Sequence, residues 1–252
     1  MRMVRRFWQS MAGLALVVLV FTLLSYLYLV LNLVPLFGKT TGLASLNLPT
    51  VFPSLWDILR PKTTSVVLAP FIVLLSQVFL TGGLYGSLLR LNAKQPLPAA
   101  SFLADGLRSF FRLLLWNLLW TFAIPLFVVG IDGLASPIGE ALTVVLVIAR
   151  FLFLFADVAL VSEHHRTMRE SLRGAFAILV NHWLTMLPFG VVMIILSSLC
   201  TALLVHVGLS ITGFLIGIVY SVAMLWLLHL VVARYLFYGH ERDRGSSEEP
   251  VY

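Results

Sequence analysis

Three ionisable residues stand inside long apolar runs, where a charge requires a partner or a ligand. Arg150 lies in Val-Ile-Ala-Arg150-Phe-Leu-Phe, Asp157 follows seven residues later, and His229 sits in Leu-Leu-His229-Leu-Val-Val. A guanidinium at the centre of a bilayer helix costs ~2.5–3.5 kcal/mol, so it faces a partner, a cavity or water. A spacing of seven is two helical turns and puts Arg150 and Asp157 on one face, with an axial gap of about 10 Å. That gap suits a polar clamp closed by the reach of the arginine or by a water. It also suits an anionic ligand or lipid headgroup held between helices. A span boundary shifted toward Arg150 is the third reading. His229 reads as an interhelical hydrogen-bonding group, with proton relay as the alternative because an unperturbed imidazole titrates near neutrality.

Other clusters carry less chemistry. Glu163-His164-His165 contains metal-ligating types, but adjacent side chains diverge on a helix and no Cys is near to complete a set, so no metal is expected. Gln77 and Asn117 read as bonds between helices. Walker-type loops, His-Glu-x-x-His, Gly-x-Ser-x-Gly and Cys-x-x-Cys do not occur, so the sequence points to no catalytic residue and no cofactor.

The elements that must position these groups follow from composition. Hydrophobic residues make up 60% of the chain and charged residues 11%. A soluble domain has roughly 25% charged residues, because its surface must be hydrated. This is the composition of an integral membrane protein. Six segments, 11–36, 65–90, 111–131, 141–161, 184–207 and 211–236, reach the ~20 apolar residues that a hydrocarbon core demands, and inside it only helix satisfies every backbone amide. The fold class expected is therefore all-α, a polytopic bundle of six transmembrane helices over residues 1–240 with a disordered cytoplasmic tail, 241–252. The first run is too long for a cleavable signal and reads as a retained helix.

The formal charge of +6 does not imply nucleic acid, because the basic residues flank the apolar runs. Arg2, Arg5, Arg6, Arg90, Lys94, Arg108, Arg112, Arg166, Arg169, Arg173, Arg234, Arg242 and Arg244 fall on one side of a six-span topology. Lys39, Arg60 and Lys62 fall on the other. The bias places both termini in the cytoplasm of a plasma-membrane protein. The long external connection, 38–64, reads as a surface segment in which Ser54 caps a short helix and Trp56 sits at headgroup depth. Small-residue spacings, Gly82-x-x-x-Gly86 and Gly213-x-x-x-Gly217-x-x-x-Ser221, predict close packing within the chain, with homodimerisation as the alternative. Cys200 reads as a small packing residue.

Two connections enter the following span alike. At an offset of 65 residues, Asp105-Gly-Leu-Arg108-Ser-Phe-Phe111-Arg-Leu-Leu114 matches Glu170-Ser-Leu-Arg173-Gly-Ala-Phe176-Ala-Ile-Leu179 in acid, leucine, arginine and phenylalanine. Each reads as an amphipathic helix at the cytoplasmic interface, with Asp105, Arg108, Glu170 and Arg173 as its marker residues. Thr167-Met-Arg-Glu170 fits a capping box for the second. If the match is a duplication, spans two–three and four–five form parallel repeats, an organisation also found in some transporters. Chance similarity of amphipathic stretches is the alternative.

Gly82-Gly-Leu-Tyr-Gly86, Ser101-Phe-Leu-Ala-Asp-Gly-Leu-Arg108, and Glu163 with Glu170-Ser-Leu-Arg173 carry a likeness over about residues 65–190. In these the chain resembles the bacterial six-helix membrane proteins related to the membrane domain attached to some glycerophosphodiester phosphodiesterases. No stretch here reads as the soluble phosphodiesterase domain, so the resemblance implies fold and topology and no hydrolase activity. The functional expectation is a non-enzymatic membrane scaffold or accessory subunit, surrounded by membrane lipids and taking a membrane protein partner or a second copy. The alternative is a transporter or lipid-handling protein with an anionic ligand near Arg150.

Overall fold

The computed structural model of the chain describes residues 10–24, 69–133, 145, 148–149, 151–207 and 210–247. Arg150 and the connection 38–64, with Ser54 and Trp56, lie outside them. Among the described residues every regular element is a helix. In chain order they are α1 (Ser10–Leu24), α2 (Ala69–Asn92), α3 (Ala99–Gly133), α4 (Ala156–Ser162), α5 (Met168–Asn181), α6 (Trp183–Val207) and α7 (Ile211–Ser247). Among the described residues three stretches are long and apolar enough to cross a membrane: Ile72–Asn92, Trp183–Leu204 and Ile211–His240. The shortest has 21 residues, which at 1.5 Å per residue matches a ~30 Å hydrocarbon core.

The central element is α2, which packs against α3, α4 and α7. From Thr81 to Leu88 every residue is buried, as expected of a helix enclosed on all sides. Small residues permit this. A Cβ on Gly82 would meet Ser109 and Gly106 of α3, one on Gly83 would meet the ring of Phe102, and one on Gly86 would meet Asp105. The spacing predicted for close packing thus serves the α2–α3 hairpin. In the reverse direction, a Cβ on Gly106 would stand 3.0 Å from the carbonyl oxygen of Phe79.

Helices α6 and α7 pair along buried stripes whose residues recur mostly three or four positions apart. Met186, Met193, Ser197, Cys200 and Leu204 are buried on α6, and Tyr220, Met224, Leu228, Val231, Tyr235 and Tyr238 on α7. That period is the one that lets helices interlock at a shallow left-handed crossing. The hydroxyls of Ser197 and Tyr220 lie 3.3 Å apart inside the seam. Gly217 turns toward α1, where a Cβ would stand 3.1 Å from Leu19 Cδ1. The outward faces remain apolar: Leu184, Val191, Ile195 and Leu199 on α6, and Phe214, Val219, Val222 and Trp226 on α7, are exposed. Such a surface is unfavourable against water by roughly 25 cal/mol per Å², a cost absent against lipid tails.

One expectation needs correction. The segment 141–161 is not one continuous helix: a turn at Phe153–Phe155 separates helical residues 151–152 from α4. No Gly or Pro marks the turn. Its amides are satisfied by shortened bonds, Leu154 N to Phe151 O and Ala156 N to Phe153 O, both 2.9 Å. Aromatic packing fixes the change of direction, because Phe153 lies against Trp116 and Trp120 while Phe155 lies against Tyr235. Helix α7 runs on to Ser247. Extending an existing helix needs no new nucleus, and Glu and Arg favour helix. The residues after 247 are outside those described.

Candidate functional site

Polar side chains gather where α2 ends, α3 begins and the α4–α5 connection passes. Helix α2 closes with paired bonds, Gln95 N to Arg90 O at 2.9 Å and Lys94 N to Leu91 O at 3.1 Å. Lys94 occupies the left-handed position (φ 56°) that a glycine usually takes in this helix ending. The turn sends α3 back along α2 and brings Asp105 to Arg90. The guanidinium donates two bonds, Nε to Oδ2 at 2.8 Å and Nη2 to Oδ1 at 3.0 Å. This forked geometry is the strongest an arginine and a carboxylate can adopt.

Two turns further on, Arg112 of α3 reaches across to the α4–α5 connection. It donates to the Glu163 carbonyl oxygen and to Ser171 Oγ, each at 2.8 Å. The Glu163 carboxylate turns toward α7, where Oε1 accepts from Tyr235 OH at 2.8 Å and meets Arg166 at 3.4 Å. Its Oε2 is buried without a hydrogen-bond partner among the described residues. Glu163 thus joins α3, the connection and α7. Beside it, burial pushes His164 below its ordinary value, and the nearby Arg108 and Arg112 push it the same way.

The connection ends in the predicted capping box. Thr167 N donates to Glu170 Oε2 at 2.9 Å, and Glu170 N donates to Thr167 Oγ1 at 3.3 Å. These bonds hold the Glu170 carboxyl below the usual range. Helix α5 then gives way to α6 at His182, whose ring stacks on Tyr238 with centroids 3.8 Å apart. The hydroxyl of Thr185 lies 3.1 Å from that of Tyr238. The elbow is therefore fastened to α7.

The residues singled out from sequence separate into distinct places. His229 Nδ1 lies 3.2 Å from Asn92 Nδ2, linking α7 to the end of α2. Asp157 is buried in the first turn of α4. Arg150 lies outside the described residues, so its relation to Asp157 is not described. Asp105 and Glu170, equivalent in the repeat, have parted: Asp105 is buried in an ion pair and Glu170 caps a helix in the open. Of the other equivalent positions, Leu107 and Leu172, Phe110 and Ala175, and Leu114 and Leu179 also differ in burial, and the rest agree. Gly106 and Ser171, Ser109 and Gly174, and Leu113 and Ile178 are buried, while Arg108 and Arg173, and Phe111 and Phe176, are exposed. Sequence reasoning missed Tyr235, Tyr238, His182 and Asn92 as polar partners. The only available signal was that both tyrosines continue the three-four stripe of α7.

Among the described residues no group of three or more His, Cys, Asp and Glu converges as a metal ion would require. No protein-family model, curated protein or solved structure matches the chain. The geometry itself does one thing clearly: it ties four helices and a connection together through side chains that would be costly to leave unpaired.

Proposed function

We propose that the chain is a multi-pass plasma-membrane protein with six spans and both termini in the cytoplasm, acting as a non-enzymatic scaffold or accessory subunit. The observation carrying this reading is how the network spends its functional groups. Asp105 neutralises Arg90, Glu163 accepts from Tyr235, Arg112 braces the connection, and Glu170 caps α5. Side chains locked to one another in this way rigidify a bundle. The apolar outward faces of α6 and α7 supply the lipid contact. The shared burial of Gly106 with Ser171, Ser109 with Gly174 and Leu113 with Ile178 supports a parallel repeat of helix hairpins, and with it the six-helix architecture of the membrane domains the sequence resembles.

Purification in native lipid followed by mass spectrometry of everything retained tests the reading. A stoichiometric membrane protein partner is expected. A chain that carries no protein partner and instead turns over or moves a small molecule would overturn it. One observation favours a second reading, an anionic ligand near Arg150: Asp157 lies buried directly after an interrupted helix, and irregular backbone at membrane depth is found where it is enclosed by protein or lines a cavity. An Arg150→Leu variant that inserts normally and loses ligand-dependent activity would support that alternative.

A further inference from the structure

The rim around the polar network carries a strongly uneven charge. Arg108, Arg166, Arg169 and Arg173 are exposed, whereas of the acids there Asp105 is buried against Arg90, Glu163 is mostly enclosed, and only Glu170 is open to the surface. Arg112, four residues after Arg108 on α3, donates to Ser171 of α5 at 2.8 Å, so the α3 and α5 cations belong to one region. Each helix also pairs a cation with an exposed aromatic ring three residues on. Phe111 is 79% exposed and follows Arg108; Phe176 is 38% exposed and follows Arg173. Three residues on a helix advance about 4.5 Å while remaining on one face. A guanidinium and a phenyl ring are thus offered together, once on α3 and once on α5. On α3 the ring continues an exposed apolar row, Leu107, Phe111, Leu115 and Leu119, that runs along the helix away from the rim.

We infer that these two Arg-x-x-Phe pairs are matched docking sites for anionic phospholipid of the surrounding leaflet. The guanidinium takes the headgroup phosphate, and the ring, on α3 together with the leucines behind it, takes the start of an acyl chain. Charge complementarity selects this occupant: a neutral apolar partner would leave exposed arginines unpaired, and a free anion would leave the apolar row uncovered. Arginine presents a planar fork that matches phosphate oxygens, and a basic residue near an anionic leaflet contributes about fivefold to partitioning. The inference rests on the proposed membrane placement of the chain.

The test uses the full chain in nanodiscs of phosphatidylcholine with or without phosphatidylglycerol, with retained lipid counted by native mass spectrometry. Wild type should retain phosphatidylglycerol selectively. Arg108→Gln combined with Arg173→Gln should lower that selectivity about fivefold, because each site loses one cation. Phe111→Ser combined with Phe176→Ser should reduce lipid retention with the cations still in place. Lys94→Asn removes an exposed cation from the α2–α3 turn in a residue that tolerates its left-handed backbone, and should change retention little. Normal thermal melting of each variant excludes misfolding. Unchanged selectivity in the double arginine variant would overturn the inference, as would an equal loss in Lys94→Asn. A dimer dissolved by the phenylalanine variant with lipid retention unaltered would also overturn it, by assigning the face to a second copy. If alkaline carbonate releases the chain from membranes, the membrane placement itself fails. If the chain stays embedded without lipid selectivity, only the docking sites fail.

Discussion

At the scale of residues, Glu163 is the junction. Its backbone carbonyl holds Arg112, its Oε1 holds Tyr235, and its Oε2 is already buried without a hydrogen bond among the described residues. Removing the tyrosine hydroxyl takes a donor from a carboxylate that has few left. Tyr235→Phe should therefore destabilise the bundle by about 1–3 kcal/mol, read as a lowered thermal midpoint in lipid nanodiscs. An unchanged midpoint would show that the bond contributes nothing net. His164 gives a separate expectation in pH. Burial, with Arg108 and Arg112 of α3, lowers its folded value against the opposing attraction of Asp105, and His165 also lowers it. Because the folded pKa is below the ordinary 6.5, the unfolded chain takes the proton first as pH falls. Stability should be level above pH 6.5 and should decline below it, and His164→Gln should flatten that decline. The capping carboxyl of Glu170, also lowered, loses its contribution only below its ordinary 4.5, as pH falls through its folded value. The two effects occupy different pH windows.

At the scale of elements, the α2–α3 hairpin depends on missing side chains. A methyl on Gly106 would press on the Phe79 carbonyl, which α2 cannot displace without breaking its own ladder. Gly106→Ala should cost about 1–3 kcal/mol despite alanine's better helix propensity. Gly239 on α7 has nothing within 4 Å of its built Cβ, so Gly239→Ala should be neutral or stabilising by up to ~1 kcal/mol. Equal thermal shifts in the two variants would contradict the packing account. These features show how far sequence reaches. The Gly82–Gly86 spacing and the Thr167–Glu170 box are local patterns whose physical meaning is contained in a few consecutive residues, and the structure places both as their chemistry suggests. The Asn92–His229 contact joins residues 137 positions apart, and no local pattern specifies such a partner. The turn at Phe153–Phe155 escapes for a related reason. It is imposed by Trp116, Trp120 and Tyr235 on other helices, and the segment has no helix breaker of its own.

At the scale of the molecule, one packing logic operates throughout. The enclosed α2 forms the centre, and the three-four stripes of α6 and α7 form a second seam. The surrounding faces are left apolar. Polar side chains tie the helix ends together across α3, α4, α5 and α7, and an exposed rim of arginines surrounds that tie. In the topology proposed here this rim meets the cytoplasmic headgroups, consistent with the charge bias along the chain. The same topology puts the 38–64 connection on the far side, with both termini beside the rim.

The most direct test of that placement is cysteine accessibility in intact cells. Cys200 is the only cysteine and is buried, so a Cys200→Ala chain gives a clean background. Single cysteines at Thr50, Lys94, His165 and Ser246 would each be probed with a membrane-impermeant maleimide. The account predicts that only the Thr50 site labels from outside, and that the other three label once the membrane is opened. External labelling of Ser246, or protection of Thr50 alongside the rest, would contradict the six-span arrangement with both ends in the cytoplasm.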